Sequence, residues 1–323
     1  MIALCLCLLS SISAADTLRV ATYNTELSRK GPGLLLRDLA ARKDHQLLAA
    51  LAVIANANAD VIALQGIDYD LQNLALAALA DTLGYTHFFA APPNAGLMTP
   101  LDLDGNGRLG EAADAQGYGR FFGQGSMAIL SQHPILTDEV QDFSTLLWRD
   151  LPMALLPQAD GKPFPSAEAQ AVQRLSSHGH WAVPIQHPTM GRVTILTYHA
   201  TPPVFDGPED RNGKRNHDET AFWSRYLDGT FGTVPKDRFV LMGDANLDPN
   251  TGDGIGRAID NLLSDPRLQD PLPMQPTVTF SQTGPMRVDY VLPSADWRVT
   301  AAQVTPAIPD ASRHSLVWVD LTR

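Results

Sequence analysis

Short runs of apolar residues recur along the whole chain, and most of them end at a polar residue. The length of these runs and their content of Val, Ile, Leu and aromatic residues predict buried β-strands. The predicted strands are residues 18–24, 60–65, 126–132, 181–186, 192–199, 238–246, 288–293, 297–304 and 315–321. The residues "HPTMGR" between the fourth and fifth strands are typical of a hairpin loop, so we expect those two strands to pair.

Apolar residues also recur at helical spacing in three segments, residues 45–58, 71–84 and 216–229. The third helix is predicted to be capped by Asn216, which leaves Lys214 in the solvated loop before it. Mixed helices and strands, with more strands in the second half, favour an α/β fold in which two sheets pack together under helices. No repeat or linker composition divides residues 16–323, so we expect one domain.

The first 15 residues, "MIALCLCLLSSISAA", form an apolar stretch closed by small residues. Ser13 and Ala15 fit a cleavage site, which favours a signal peptide and a secreted or periplasmic protein; a wrong start codon and a membrane anchor are the alternatives. No other segment is apolar enough for a membrane helix, so none is expected in the mature chain. Cys5 and Cys7 both lie in the leader, which excludes disulfides, thiolate catalysis and Cys-ligated zinc after its removal.

The charge balance is acidic, with 24 Lys and Arg residues against 35 Asp and Glu residues, a net charge of −11 and a pI near 5.1. Sequence-independent binding to nucleic acid depends on basic residues that neutralise phosphates. The composition therefore argues against a dedicated nucleic-acid-binding module, whereas an acidic, metal-binding cleft is compatible with it.

Six polar residues able to bind a metal or a phosphate lie at the ends of predicted strands or directly before the last one. Any one of them is explained as a turn residue, but the ends of strands converge in space, so we expect the set to line one cleft. The set comprises Asn24, His199, Asp244, Asn246, Asp289 and His314.

Four short motifs, "TYN", "GDAN", "VDYVL" and the terminal Ser-x-His, resemble in order and type those of the endonuclease/exonuclease/phosphatase superfamily. The resemblance covers nearly the whole mature chain, and further detail is similar to an exported bacterial branch. It implies a DNase I-like, four-layer α/β sandwich with two mixed β-sheets packed face to face. It also implies a hydrolase of phosphate esters that uses a divalent ion, Mg²⁺ or Mn²⁺.

The resemblance also implies roles for the residues in these motifs. Asp244 would orient or deprotonate the attacking water, and Asn246 would hold this water or a phosphate oxygen. His314 would donate a hydrogen bond to the phosphate as charge builds in the transition state, and His199 would contact the phosphate or the leaving group. Asp289 and Asn24 would belong to the surrounding polar network.

The chain departs from the family pattern at two places. The family's metal-binding glutamate at the tip of the second strand is Gly66 here, and the acid before the last histidine is Arg313. Metal binding could be rebuilt from Glu26 and Asp68, together with Asn24. Alternatively, Arg313 supplies part of the positive charge as a phosphate ligand, or the protein has lost catalysis and only binds a phosphorylated ligand.

A second candidate metal site lies at residues 102–114, where Asp102, Asp104 and Asn106 precede Gly107 as in the first half of a calcium loop. The glutamate expected later in such a loop is Ala113. An exposed turn without an ion explains the same residues, so a Ca²⁺ site and a plain turn remain alternatives.

Arg174, Arg211 and Arg215 are further candidates for phosphate binding. The predicted partner is a phosphate-ester substrate, either nucleic acid or a small phosphorylated molecule, and nuclease and phosphatase activities remain alternatives. The acidic balance favours a small or flexible substrate. We expect a monomer.

Overall fold

The computed structural model describes residues 16–236 and 238–323, so the predicted leader lies outside the described part of the chain. The strands are β1 (Leu18–Asn24), β2 (Val61–Ile67), β3 (His87–Phe89), β4 (Ser126–Ser131), β5 (Gln141–Asp142), β6 (Gln158–Ala159), β7 (Lys162–Pro163), β8 (His180–His187), β9 (Gly191–His199), β10 (Phe239–Asp244), β11 (Val278–Phe280), β12 (Gly284–Met286), β13 (Asp289–Pro293), β14 (Arg298–Val304) and β15 (Val317–Thr322). The α-helices are α1 (Leu34–Ala41), α2 (His45–Ala57), α3 (Leu74–Leu83), α4 (Ala167–Val172), α5 (Arg211–Leu227) and α6 (Arg257–Leu263).

Two mixed sheets form the centre of the fold. The first has the strand order β14-β15-β1-β2-β4-β3, and the second has the order β13-β10-β9-β8-β5. The pairs β1/β2 and β9/β10 are parallel, whereas the neighbouring pairs β1/β15 and β10/β13 are antiparallel. Each parallel pair brings two carboxyl ends of strands to the same edge of its sheet.

The sheets pack face to face through an apolar interface. Val20 and Ile129 of the first sheet contact the layer formed by Val183, Ile195 and Val240 of the second, and all five are fully buried. Burying a side chain of this size stabilises the fold by about 1.5–3 kcal/mol. The interface holds the edges of the two sheets at a fixed distance from each other.

Helices cover the outer faces of both sheets. Leu47 and Ile54 of α2 pack on the first sheet, and Phe222 and Trp223 of α5 pack on the second. The α/β fold with two mixed sheets flanked by helices is therefore confirmed. Within residues 16–236 and 238–323, no helix has both the length and the apolar character needed to cross a membrane.

The structure corrects one predicted helix boundary. Helix α5 begins at Arg211 rather than after Asn216, and Lys214 lies inside it. Asn216 is buried in the helix, where its Nδ2 donates to the carbonyls of Thr201 and Ala245. Its side chain therefore satisfies backbone acceptors of neighbouring segments instead of capping the helix.

Candidate active site

The ends of strands from both sheets meet around Asp244, the last residue of β10. In the second sheet, Asp244 is paired in register with His199 at the end of β9 and with Asp289 at the start of β13. Asn24, at the end of β1 in the first sheet, donates from Nδ2 to Asp244 Oδ2 at 2.8 Å. One hydrogen bond thus connects the two sheets at the edge where the polar residues gather.

The Asp244 carboxylate is fully buried and hydrogen bonded. Its Oδ1 accepts from the backbone N–H of Asn246 at 2.8 Å, and its Oδ2 lies 3.5 Å from His199 Nε2. Asn246 has φ 48°, so the chain turns directly after the strand, and its Nδ2 donates to the carbonyl of Ala200. Burial and the neighbouring Asp289 carboxylate raise the pKa of Asp244, so it accepts a proton more readily than an exposed acid.

Asp289 and His314 form a buried pair beside Asp244. His314 Nδ1 lies 2.8 Å from Asp289 Oδ2 and 4.0 Å from Asp244 Oδ2. Burial opposes the charged imidazole, but the Asp289 carboxylate outweighs it and raises the pKa of His314 to about 9. His314 also lines the cleft, so a charged hydrogen-bond donor faces the position of a bound anion.

His199 is neutral and is held by a second histidine. Its ring stacks on His178 with centroids 4.0 Å apart and an interplanar angle of 13°, and His178 Nδ1 lies 2.9 Å from the His199 carbonyl oxygen. Burial lowers the pKa of His199 well below its ordinary value. The uncharged ring covers Asp244 without adding a positive charge to the site.

Glu219 lies behind the two stacked rings and was not anticipated from the sequence. Its buried carboxylate accepts from Ser177 N, Ser177 Oγ and the N–H of Thr201, and so holds the segments on either side of His199. Arg215 and Glu219 are four residues apart on the buried face of α5. Arg215, directly before the predicted helix, and Glu219, inside it, are opposite charges four residues apart, and this spacing is the signal that could have indicated the buried network.

Two other histidines make the stability of the protein sensitive to acid. Burial lowers the pKa values of His178 and His180 to about 4, whereas an unfolded histidine titrates near about 6.5. Their contribution to the free energy of unfolding is therefore complete above about pH 6.5. It is lost as the pH falls toward 4, by up to about 3 kcal/mol for each histidine.

We expect the urea midpoint to fall steeply between pH 6.5 and 4.5 in wild type and less steeply in the His180→Gln variant. His45→Gln, on an exposed position of α2, should keep the wild-type slope. Equal slopes for wild type and His180→Gln would contradict this origin of the acid sensitivity.

Glu26 and Arg313, separated by 287 positions, form an ion pair at the mouth of the cleft. Glu26 Oε1 accepts two hydrogen bonds from the guanidinium of Arg313, one from Nε at 2.7 Å and one from Nη2. Glu26 Oε2 accepts from the backbone N–H of Arg313 at 2.9 Å and from Ser312 Oγ at 3.2 Å. Burial opposes ionisation, but these bonds from Arg313 outweigh it and lower the pKa of Glu26. The carboxylate is therefore ionised and fully engaged.

The cleft has a volume of about 540 Å³, and one of its walls is apolar. Asn24, His199, Asn246 and His314 line the polar side, and Asp244 and Asp289 lie directly behind them. The apolar residues, which the sequence analysis did not assign to the site, are Val204, Phe205, Phe280, Met286 and Val288. The only sequence signal for these residues is the content of turn residues in the segments around 202–205 and 280–288.

The expected metal ligands are brought together only in part: Asn24 and Glu26 both line the cleft, and the Glu26 N–H donates to Asn24 Oδ1 at 3.2 Å, whereas Asp68 does not line it. Strand β2 has an irregular register at Gln65/Ile67 and ends at Ile67, so the facing expected for Asp68 is not kept. Asp68 instead accepts from the N–H groups of Arg29 and Gly125, outside the cleft. A different group, Asp244, Asp289 and His314, has donor atoms within 4.8 Å of one another, a separation at which they could hold a metal ion.

The three arginines expected to bind phosphate lie outside the cleft, which corrects the prediction for them. Arg215 is buried and donates to the carbonyls of Leu175, Gln116, Arg174 and Ser176. Arg174 donates to Asn94 Oδ1, and Arg211 donates to the carbonyl of Leu103. Their guanidinium groups satisfy buried acceptors of the fold and do not face the position of a bound phosphate.

In the loop at residues 102–114, the carboxylates of Asp102, Asp104 and Asp114 lie within 4.8 Å of one another. Asn106 does not join them as expected: its Oδ1 accepts from Arg108 N, and its Nδ2 donates to Asp104 Oδ2. The buried Asp114, one residue after the expected glutamate position Ala113, lies with the two carboxylates instead.

We expect millimolar Ca²⁺ to raise the melting temperature of the wild type if this loop binds the ion, because the ion would bind only the folded state. At 100 times the dissociation constant, the stabilisation is about 2.7 kcal/mol. Differential scanning fluorimetry should show no such rise for Asp104→Asn. An equal response of both proteins would leave the loop as a plain turn.

Comparison with known proteins adds a family and a fold to this geometry. A sequence model of the Endonuclease/Exonuclease/phosphatase family matches residues 21–314. A search of curated proteins finds no match. Similar solved structures include an endonuclease/exonuclease/phosphatase from Beutenbergia cavernae DSM 12333, with 20% identity, a TM-score of 0.61 and coverage of 95% of this chain and 71% of that chain.

Two further similar structures are those of proteins with a named activity. Sphingomyelinase C from Streptomyces griseocarneus has 17% identity, a TM-score of 0.53 and coverage of 95% of this chain and 100% of that chain. ANGEL2, a 2',3'-cyclic phosphatase, has 14% identity, a TM-score of 0.56 and coverage of 95% of this chain and 96% of that chain. At these identities, the likeness shows a shared fold.

Proposed function

The chain belongs to the endonuclease/exonuclease/phosphatase family, and from this premise we propose that it hydrolyses phosphate esters in the cleft around Asp244. Proteins of this family are generally hydrolases of phosphate esters. The observation that carries the proposal is the buried carboxylate of Asp244, held by Asn24 and Asn246 and flanked by His199 and the Asp289–His314 pair.

Asp244 activates the attacking water in this proposal. Because the carboxylate is buried behind the lining residues, the water reaches it from the cleft. The water oxygen bonds to phosphorus, its proton passes to Asp244, and the bond from phosphorus to the leaving oxygen breaks. The raised pKa of Asp244 makes the carboxylate a better proton acceptor near neutral pH.

The phosphate is bound by groups that face the cleft. His314 donates to a phosphate oxygen while Asp289 fixes its ring, and the side chain of Arg313, 63% exposed, contacts a second oxygen. Asn246 orients the water or a phosphate oxygen. These donors are most favourable where negative charge increases in the transition state.

The shape of the cleft favours a substrate with a single phosphate and an organic substituent. Among the described residues that line it, Arg313 is the only Arg or Lys. The apolar wall that includes Val204, Phe205 and Phe280 lies where the organic part of an ester would pack. A monoester or diester of a small or flexible molecule therefore fits better than a substrate with several neighbouring phosphates.

A second candidate function is phosphate-ligand binding without catalysis, favoured by Gly66 at the place of the family's metal-binding glutamate. A binding protein would have no need for the water-activating acid, so the buried Asp244 supports the enzyme. Export of the chain, indicated by residues 1–15, is also part of the proposal.

Hydrolysis of bis-p-nitrophenyl phosphate, p-nitrophenyl phosphate and plasmid DNA by the purified protein tests the proposal. We expect release of p-nitrophenol from at least one of the two small esters. Should none of the three be hydrolysed in buffer alone or with Mg²⁺ or Mn²⁺ while phosphate still binds, the non-catalytic function is the correct one.

A further inference from the structure

We infer that this cleft uses the guanidinium of Arg313 in place of the divalent ion of its family, so that phosphate esters are bound and hydrolysed without added metal. This inference rests on the proposed function. It concerns two places at this cleft: Glu26, and the group formed by Asp244, Asp289 and His314.

Gly66, at the place of the family's metal-binding glutamate, leaves no room for a side chain. Its φ is +69°, and a Cβ built on it would lie 2.5 Å from Asn24 Oδ1 and 2.9 Å from the backbone nitrogen of Glu26. Such a separation is too short for a carbon atom, and one of the two contacts is with backbone. The turn formed by Asn24 and Glu26 therefore occupies the space in which a carboxylate from β2 would have to lie.

Glu26, the nearest replacement ligand, is already neutralised. Three of its four hydrogen-bond donors belong to Arg313, and the fourth is the hydroxyl of Ser312. A divalent ion bound to this carboxylate would lie next to the guanidinium and be repelled by it. An ion could bind Glu26 only after Arg313 had moved away.

The buried group is also satisfied without an ion. Asp244 accepts from Asn24 and Asn246, and His314 Nδ1 shares a proton with Asp289 Oδ2. Among the buried side-chain atoms of these three residues, Asp289 Oδ1 alone lacks a hydrogen-bond partner, and one free oxygen is too few for Mg²⁺ or Mn²⁺. The residues present therefore do not fit the family's ion at either place.

Arg313 is placed to bind the phosphate itself. Its guanidinium lies 5.4 Å from the centroid of the Phe280 ring, which supports the side chain at the mouth of the cleft. The planar fork that binds the Glu26 carboxylate also matches two oxygens of a phosphate. A bound phosphate would share Arg313 with Glu26 or replace Glu26 as its partner.

Titration with Mn²⁺, followed by electron paramagnetic resonance, tests the exclusion of the ion. Any Mn²⁺ site that Asp104→Asn removes is assigned to the loop at residues 102–114. In the wild type we expect no Mn²⁺ site that depends on Glu26, so Glu26→Gln should remove none. Arg313→Gln should gain such a site, and the Glu26→Gln/Arg313→Gln double variant should lose it again.

Two variants control for charge and position. Arg313→Lys should exclude Mn²⁺ as the wild type does, because it keeps the positive charge beside Glu26, and Arg298→Gln, on an exposed position of β14, should match wild type. A wild-type Mn²⁺ site that disappears on Glu26→Gln, or an Arg313→Gln protein without a new site, would overturn the inference.

Activity and phosphate binding separate this inference from the proposed function. Treatment with EDTA followed by desalting should change hydrolysis of bis-p-nitrophenyl phosphate less than 2-fold. Inorganic phosphate should bind Arg313→Gln about 10–100-fold more weakly than wild type by calorimetry, as expected for a lost charged hydrogen-bond pair.

Hydrolysis that requires added Mg²⁺ would refute the inference and leave the proposed function intact. Absence of hydrolysis under all conditions would refute the proposed function. The Mn²⁺ and phosphate titrations would still show whether Arg313 excludes a divalent ion from the cleft and binds phosphate in its place.

Discussion

Hydrolysis of phosphate esters is expected to fall by about 10²–10⁴-fold when Asp244 is replaced by asparagine, because the amide cannot accept a proton from water. The substitution keeps the size of the side chain and an oxygen that can accept from the N–H of Asn246. Rates on bis-p-nitrophenyl phosphate, measured as kcat and KM, should show the loss in kcat. Binding of inorganic phosphate should change little, since Asp244 does not line the cleft.

The matched control is Asp138→Asn, at an exposed position, which should keep wild-type activity. The melting temperature must also be measured, because the Asn24 amide has to reorient to remain bonded to an asparagine. If Asp244→Asn folds and hydrolyses the ester at the wild-type rate, Asp244 does not activate the water.

Replacing His314 with glutamine should lower kcat by about 10²–10³-fold, the loss typical of removing one donor to a developing oxyanion. The change removes a positive charge that faces the cleft and leaves Asp289 without its buried partner. We therefore also expect weaker phosphate binding and a lower melting temperature. The matched control is His45→Gln on α2.

Asp289→Asn tests whether the pair acts as a unit. The Asp289 carboxylate raises the pKa of His314, so without it His314 should lose its proton at lower pH, and activity at pH 8 should fall more than activity at pH 6. The His314→Gln/Asp289→Asn double variant should be no less active than His314→Gln alone. Additive losses would show that the two residues act separately.

The sequence predicts the fold and the polar strand ends because both depend on local pattern. The apolar runs that became β1, β9 and β10 carry their polar end residues, Asn24, His199 and Asp244, with them. Parallel pairing of β9 and β10 brings His199 and Asp244 together, and the packing of the two sheets adds Asn24. The motif resemblance adds Asp289 and His314, which lie in register or in contact with Asp244.

The remaining features depend on contacts between distant segments. Arg215 resembles a phosphate-binding residue in the sequence, but the four carbonyl groups that it donates to belong to residues 39 to 99 positions away. The partner of Glu26 is Arg313, almost at the opposite end of the chain. Asp114 joins Asp102 and Asp104 only because the loop folds back on itself. Spacing in the sequence does not determine such contacts, since they require the packed fold.

The hydrogen bond from Asn24 to Asp244 and the pairing of β1 with β15 also determine when during synthesis the site can exist. Residues far apart in the sequence contribute to it, and β1 reaches its place beside β15 only after β15 has left the ribosome. Folding dominated by contacts this distant in sequence is slow. A nascent chain that still lacks β15 can form helices and hairpins but no cleft, so hydrolytic capacity should arise in one late step rather than increase with chain length.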